Sequence, residues 1–113
     1  MAYTLKLKHH FDASHHLLKY DGACSHPHGH RWMVKVEIKT DNLNEQDMVV
    51  DFKKIKNVID KLDHIDLNTL FGEKFNPTAE KIAKYLHGAI KRVAKHDSKI
   101  TIWESPEASI TYE

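Results

Sequence analysis

The stretch Tyr3-Thr4-Leu5-Lys6-Leu7-Lys8-His9-His10-Phe11-Asp12-Ala13-Ser14-His15 decides how the chain begins to fold. Successive side chains of a strand point to opposite sides, so Leu5, Leu7, His9, Phe11, Ala13 and His15 share one face, with Lys6, Lys8, His10, Asp12 and Ser14 on the other. A second run repeats the pattern: His28, His30, Trp32, Val34, Val36 and Ile38 line one face, and Arg31, Lys35 and Glu37 the other. Between them, Leu17 to Pro27 contains Asp21, Gly22 and Pro27 without a sustained period, a loop long enough to suggest function. The two runs can form one antiparallel ribbon, which sets the end of the first strand beside the start of the second.

Beyond the ribbon the period changes. Asp41 to Asp47 is polar turn material, and Asp51 is a plausible cap for a helix in which Phe52, Ile55, Ile59 and Leu62 recur at three to four residue intervals. Asp63 to Gly72 breaks that period and reads as an irregular connection. Asn76 and Pro77 then read as a cap and first-turn proline for a second helix, its apolar stripe made by Ile82, Leu86, Ala89, Ile90 and Val93. Ile100, Ile102 and Glu104 alternate with Thr101 and Trp103, and Ser105-Pro106-Glu107 turns the chain into a last strand over Ala108 to Tyr112. The order is strand, strand, helix, helix, strand, strand: an α+β fold with a four-stranded antiparallel sheet.

With 113 residues, the chain is read as a single domain spanning 1–113. A hydrophobic share of 41% and a charged share of 29% are ordinary for a folded protein. The 17 basic and 16 acidic residues nearly cancel, leaving no global field to attract nucleic acid or an anionic membrane. Only Arg31 and Arg92 are arginines, whereas readers of base edges lean on arginine, so no nucleic-acid partner is expected. No run approaches the ~20 apolar residues of a membrane span, and the alternating N-terminal run does not read as a signal peptide. A cytoplasmic location is the expectation, with Cys24, the single cysteine, free as a thiol.

Ten histidines make His28-Gly29-His30 a weak motif by itself, since about one His-x-His would arise by chance at this density. Strand geometry strengthens it: residues two apart point the same way, and His15 ends the matching face of the partner strand. Three imidazoles with an open fourth position are a catalytic zinc arrangement, because a closed structural site normally takes four protein ligands. The alternative is three exposed or hydrogen-bonded histidines, and His16 and His26 stand second in line as ligands after a small register shift. Cys24, four residues before His28, lies on the loop leading into that site, where a nearby cation lowers a thiol's pKa enough to make it a base. Asp63-His64 can act as a proton relay or be plain loop chemistry. Glu104 shares its face with Ile100 and Ile102, where a lone carboxylate calls for a partner, a ligand or an exposed edge strand.

Phe11-Asp12-Ala13-Ser14-His15, Cys24-Ser25-His26-Pro27-His28-Gly29-His30, Met48-Val49-Val50-Asp51-Phe52, Leu62-Asp63-His64, Asn76-Pro77-Thr78-Ala79-Glu80 and Glu104 follow one another in this order. In that order they resemble the 6-pyruvoyl-tetrahydropterin synthase family along nearly the whole chain. The resemblance implies a tunnelling fold whose sheets join edge to edge into a trimeric barrel, usually doubled to a homohexamer. It implies zinc on His15, His28 and His30, proton transfer by Cys24, Asp63 and His64, and substrate contacts by Glu104 and Thr78, with Glu80 close by. The short C-x3-H-G-H interval is similar to that of the 6-carboxy-tetrahydropterin synthases, which implies a pterin triphosphate substrate and a place in queuosine synthesis. The pyruvoyl-forming enzyme and a non-catalytic pterin- or metal-binding module are the alternatives. Departures from the family pattern are His16 in place of a frequent arginine, Pro27 in place of leucine and Phe75 in place of glutamate. Lys19, Arg31 and Lys53 are candidates for the triphosphate from position alone.

Overall fold

A computed structural model describes residues 1–72 and 75–113. Both alternating runs are strands: β1 spans Tyr3–His15 and β2 spans His28–Thr40. They pair antiparallel from Tyr3↔Thr40 to His15↔His28. Thirteen residues per strand, at ~3.4 Å each, account for most of the molecule's long axis of 49 Å, against 24 and 21 Å across.

The register puts Phe11 opposite Trp32 and Ala13 opposite His30. Each pair therefore sits on the face that the helices cover. Phe11 and Trp32 are fully buried and stacked, with ring centroids 6.0 Å apart. The Trp32 indole N–H donates to the Ala13 carbonyl, so the polar end of the ring is not left unmatched.

α1 is Phe52–Asp60, capped by Asp51, whose carboxylate accepts from the Lys53 N–H. The helix closes two residues before Leu62, although that side chain is fully buried, so the apolar stripe outlasts the helical backbone. The stretch read as irregular contains more structure than its pattern suggested. β3, Ile65–Asp66, runs parallel to the end of β1, and α2, Leu67–Phe71, buries Leu67 and Phe71 one turn apart. Asp66 caps this short helix through Asn68 N–H. Segments this short are below the length at which hydrophobic periodicity shows.

α3, Ala79–Ala94, packs Ile82, Leu86 and Ile90 on the sheet. Its cap is Thr78, which accepts from the Lys81 N–H, and this corrects the expected Asn76-Pro77 start. Asn76 faces the other way, bonding the main chain of Leu18 through both ends of its amide. Two strands complete the sheet, β4 Lys99–Ser105 and β5 Ala108–Tyr112. The order is β3-β1-β2-β4-β5: five strands where four were expected, the addition being the two-residue β3. No helix among the described residues is long and apolar enough to cross a membrane.

Candidate active site

The ribbon register carries His15, His28 and His30 to one corner of the sheet, on the helix-covered face. One nitrogen from each ring lies within 4.8 Å of the others, and among the described residues no cysteine or carboxylate joins this group. The rings meet edge to face, with centroids 4.5 to 5.1 Å apart. Trp32 backs His15 and His30 with edge contacts at 5.0 and 5.4 Å, a stiff wall behind two of the three rings.

Carbonyl groups fix which nitrogen of two rings is free. His15 Nδ1–H donates to the Pro77 carbonyl at 2.8 Å, and His28 Nδ1–H donates to the His26 carbonyl at 2.7 Å. Each Nε2 then carries a lone pair, the tautomer that a metal-binding histidine needs. His15 is 1% exposed, and its Nε2 and that of His30 are buried without hydrogen-bond partners. Two orphaned buried nitrogens converging on a third imidazole fit a cation and have little other use, since an unmatched buried polar group costs about 1–3 kcal/mol. Burial pushes the pKa of His15 below its ordinary value, against the Pro77 bond and Glu104. Burial acts on His30 in the same way, opposed by Glu104. Burial therefore favours the neutral, ligating form of both rings.

Glu104 approaches this group from β4. Its Oε1 lies 3.4 Å from His30 Nε2 without hydrogen-bond alignment, so the carboxylate is a neighbour of the ring and not its satisfied partner. β4 lies between β2 and β5, which removes the edge-strand explanation for this carboxylate. The β4–β5 register slips between Trp103 and Ser105, leaving Glu104 as the extra residue of a bulge. A bulge re-aims the side chain at that position, and the alternating sequence gave no sign of it. Glu104 borders a cleft of about 570 Å³ shared with His30, Arg31 and Trp103. It also borders a smaller one of about 260 Å³ with Ala79 and Glu80.

Asp63 and His64 do face each other, although adjacent residues need not. His64 Nδ1–H donates to Asp63 Oδ2 at 2.7 Å, while Asp63 Oδ1 accepts from the Asp12 N–H at 2.8 Å. His64 sits at φ 58°, the left-handed region, and this turn of the backbone brings its ring back beside the preceding carboxylate. The Asp12 N–H, followed by His64, holds the Asp63 carboxyl below its ordinary pKa. His64 is exposed and lines a further cleft of about 530 Å³ with His30, Arg31 and Asp66. His30 thus borders the clefts of both Glu104 and His64.

Cys24 is half-buried on a single 3-10 turn, Ala23–Ser25, outside the three-histidine group. Its carbonyl accepts from the Leu17 N–H at 2.7 Å, tying the turn to the chain just beyond His15. Two asparagines clamp the same loop, a role their place in the sequence did not indicate. Asn68 bonds the N–H and carbonyl of His16, and Asn76 those of Leu18. An amide side chain can mimic a strand partner in this way, but residue type alone does not announce it. Thr78 serves as a helix cap, and Arg31 is engaged by Asp12 in a two-pronged ion pair at 2.9 and 3.1 Å.

Comparison with known proteins shows the family. A family model described as 6-pyruvoyl tetrahydropterin synthase matches residues 4–113. The chain is 30% identical to the 6-carboxy-5,6,7,8-tetrahydropterin synthase of Haemophilus influenzae, over 91% of this chain and 93% of that protein. It is 29% identical to the enzyme of that name from Aquifex aeolicus, over 80% and 75%. The solved structure of Caenorhabditis elegans 6-pyruvoyl tetrahydropterin synthase superposes with a TM-score of 0.81 at 28% identity, covering 98% of this chain and 94% of that one. The chain belongs to the 6-pyruvoyl tetrahydropterin synthase family. It is an enzyme of the lyase type, and its fold is the family's α+β tunnelling fold.

Proposed function

We propose that the protein is a zinc-dependent 6-carboxy-5,6,7,8-tetrahydropterin synthase. In this reading it converts 7,8-dihydroneopterin triphosphate and water to 6-carboxy-5,6,7,8-tetrahydropterin, acetaldehyde and triphosphate in queuosine synthesis. The observation that carries the reading is the corner where His15, His28 and His30 converge with two buried, unpartnered Nε2 atoms. The names of the bacterial relatives and the short Cys24-to-His28 interval favour the carboxy-forming over the pyruvoyl-forming reaction.

Zinc held by the three imidazoles would polarise the side-chain oxygens of the substrate. Glu104 accepts two N–H bonds from the pterin's guanidinium-like edge, a pairing suited to a carboxylate. Thr78 caps α3 just before Ala79 and Glu80, which line the smaller cleft beside Glu104, and would meet the substrate from there. Cys24 and the Asp63–His64 pair move protons on and off the side chain, with Asp63 orienting the ring and stabilising its protonated form. Carbon–carbon cleavage then proceeds as in a retro-aldol step, and triphosphate leaves by elimination.

The reading includes a homohexamer, a dimer of trimers, working in the cytoplasm, where Cys24 stays reduced. Support for assembly comes from the sheet edges. β3 covers β1 only at Ala13 and Ser14, and β5 forms the opposite edge, so both borders offer backbone groups for pairing with another copy.

Incubating zinc-loaded protein with 7,8-dihydroneopterin triphosphate, beside a chelated sample, tests the reading. Acetaldehyde that depends on the metal supports it, and a pyruvoyl product without acetaldehyde overturns the carboxy-forming assignment. No product with bound pterin would favour a binding module.

A further inference from the structure

One residue makes both main-chain contacts between β1 and the Asp63–His64 pair. The Asp12 N–H donates to Asp63 Oδ1 at 2.8 Å, and the Asp12 carbonyl accepts from the His64 N–H at 2.6 Å. The same residue's carboxylate grips Arg31 Nε and Nη2 at 2.9 and 3.1 Å. The guanidinium is thereby held in the cleft that His64 lines. We infer that Asp12 and Arg31 are positioning residues for the Asp63–His64 pair: Asp12 docks the pair on β1 and holds the guanidinium that balances the charge of Asp63. This rests on the reading of Asp63 and His64 as proton-transfer groups.

The charge of Asp63 works against ionisation of the Asp12 carboxyl, and a cation beside them offsets it. Arg31 supplies this cation on a rigid fork, where a lysine would supply only a mobile point charge. The pKa directions agree with this geometry. Asp12 is lowered chiefly by its hydrogen bond from Arg31, and Arg31 is raised by that bond and by the charges of Asp12 and Asp63. The other ionisable groups around the pair are His10 on β1, which favours both anions, and His30 and Asp66 in the shared cleft.

The test is an NMR titration of the His64 ring in the metal-loaded protein, with the pH profile of turnover measured on the same variants. Arg31→Met removes a cation and should raise the midpoint that the titration reads. Asp12→Asn removes an anion and should lower it by a similar amount. Both variants break the same ion pair, so a merely structural role predicts shifts of one sign, whereas the electrostatic role predicts opposite signs. Arg31→Lys should restore most of the midpoint and keeps the test open if Arg31→Met fails to fold. Opposite shifts, with the turnover profile following them, support the inference. An unmoved midpoint, shifts of one sign, or a turnover profile that ignores the shifts overturns it. If wild-type protein makes no product, the proposed function fails and the titration alone decides the role of Arg31.

Discussion

Replacing His30 with leucine should separate what the histidine corner does for metal binding from what it does for folding. In the metal-free protein His30 Nε2 is buried and unpartnered, and its approach to Glu104 at 3.4 Å is not a hydrogen bond. Leucine therefore removes an unmatched polar atom without breaking a bond, and the metal-free variant should lie within about 1 kcal/mol of wild type. The metal-bound state behaves differently. Zinc at a hundred times its dissociation constant stabilises a native site by about 2.7 kcal/mol. A chain of 113 residues unfolds with an entropy of about 0.24 kcal/mol per kelvin, so wild type should gain about 11 °C in Tm. His30→Leu should lose nearly all of that gain while its chelated Tm stays within about 4 °C of wild type. Thermal unfolding followed by circular dichroism, with zinc and with chelator, measures both quantities. A full zinc-dependent rise in the variant would remove His30 from the ligand set. A metal-free loss above about 3 kcal/mol would show that the ring is part of the packing and that the orphan argument is wrong.

Cys24→Ala should lower turnover by about a hundredfold or more and leave zinc stoichiometry unchanged, since a positioned proton-transfer group contributes about 10²–10⁴; unaltered turnover would sink its role. Glu104→Gln should weaken pterin binding by about tenfold to a hundredfold, the worth of hydrogen bonds to a charged acceptor, read by calorimetry with a non-reacting pterin. Asn76→Ala should cost about 1–3 kcal/mol, because it leaves both main-chain groups of Leu18 unmatched, and denaturant unfolding gives the figure. Burial depresses His15 and His30 in the fold, so their contribution to stability is present above the ordinary histidine value of 6.5 and is lost as pH falls through the lowered folded values. Zinc affinity should fall across the same acidic window, and a metal-binding isotherm that is flat down to pH 4 would refute the assignment. Asp12 and Asp63, both depressed, add stability that is lost only below their ordinary 3.8.

Much of this was written in the sequence because strands are simple. A side-chain period of two over Tyr3–His15 and again over His28–Ile38 fixes which residues share a face, and three histidines then fall on one face at adjoining strand ends. The helix stripes around Ile55 and Ile82 were legible for the same reason, a period maintained over several turns. The short elements were not: β3 and α2 are too brief to show a period, and they exist because β1 and the core are there to receive them.

The remaining features depend on contacts between residues far apart in the chain. Pro77 reaches His15 across 62 positions, and Asp63 reaches Asp12 across 51. No local pattern encodes either contact. The bulge that turns Glu104, the amide clamps of Asn68 and Asn76, and the fork of Arg31 on Asp12 are of the same kind. The sequence by itself determined which side chains could meet, because strand geometry is local. Only the tertiary structure decided which nitrogen of His15 is free and which carboxylate faces His64, because hydrogen-bond partners are set by the packing of distant segments.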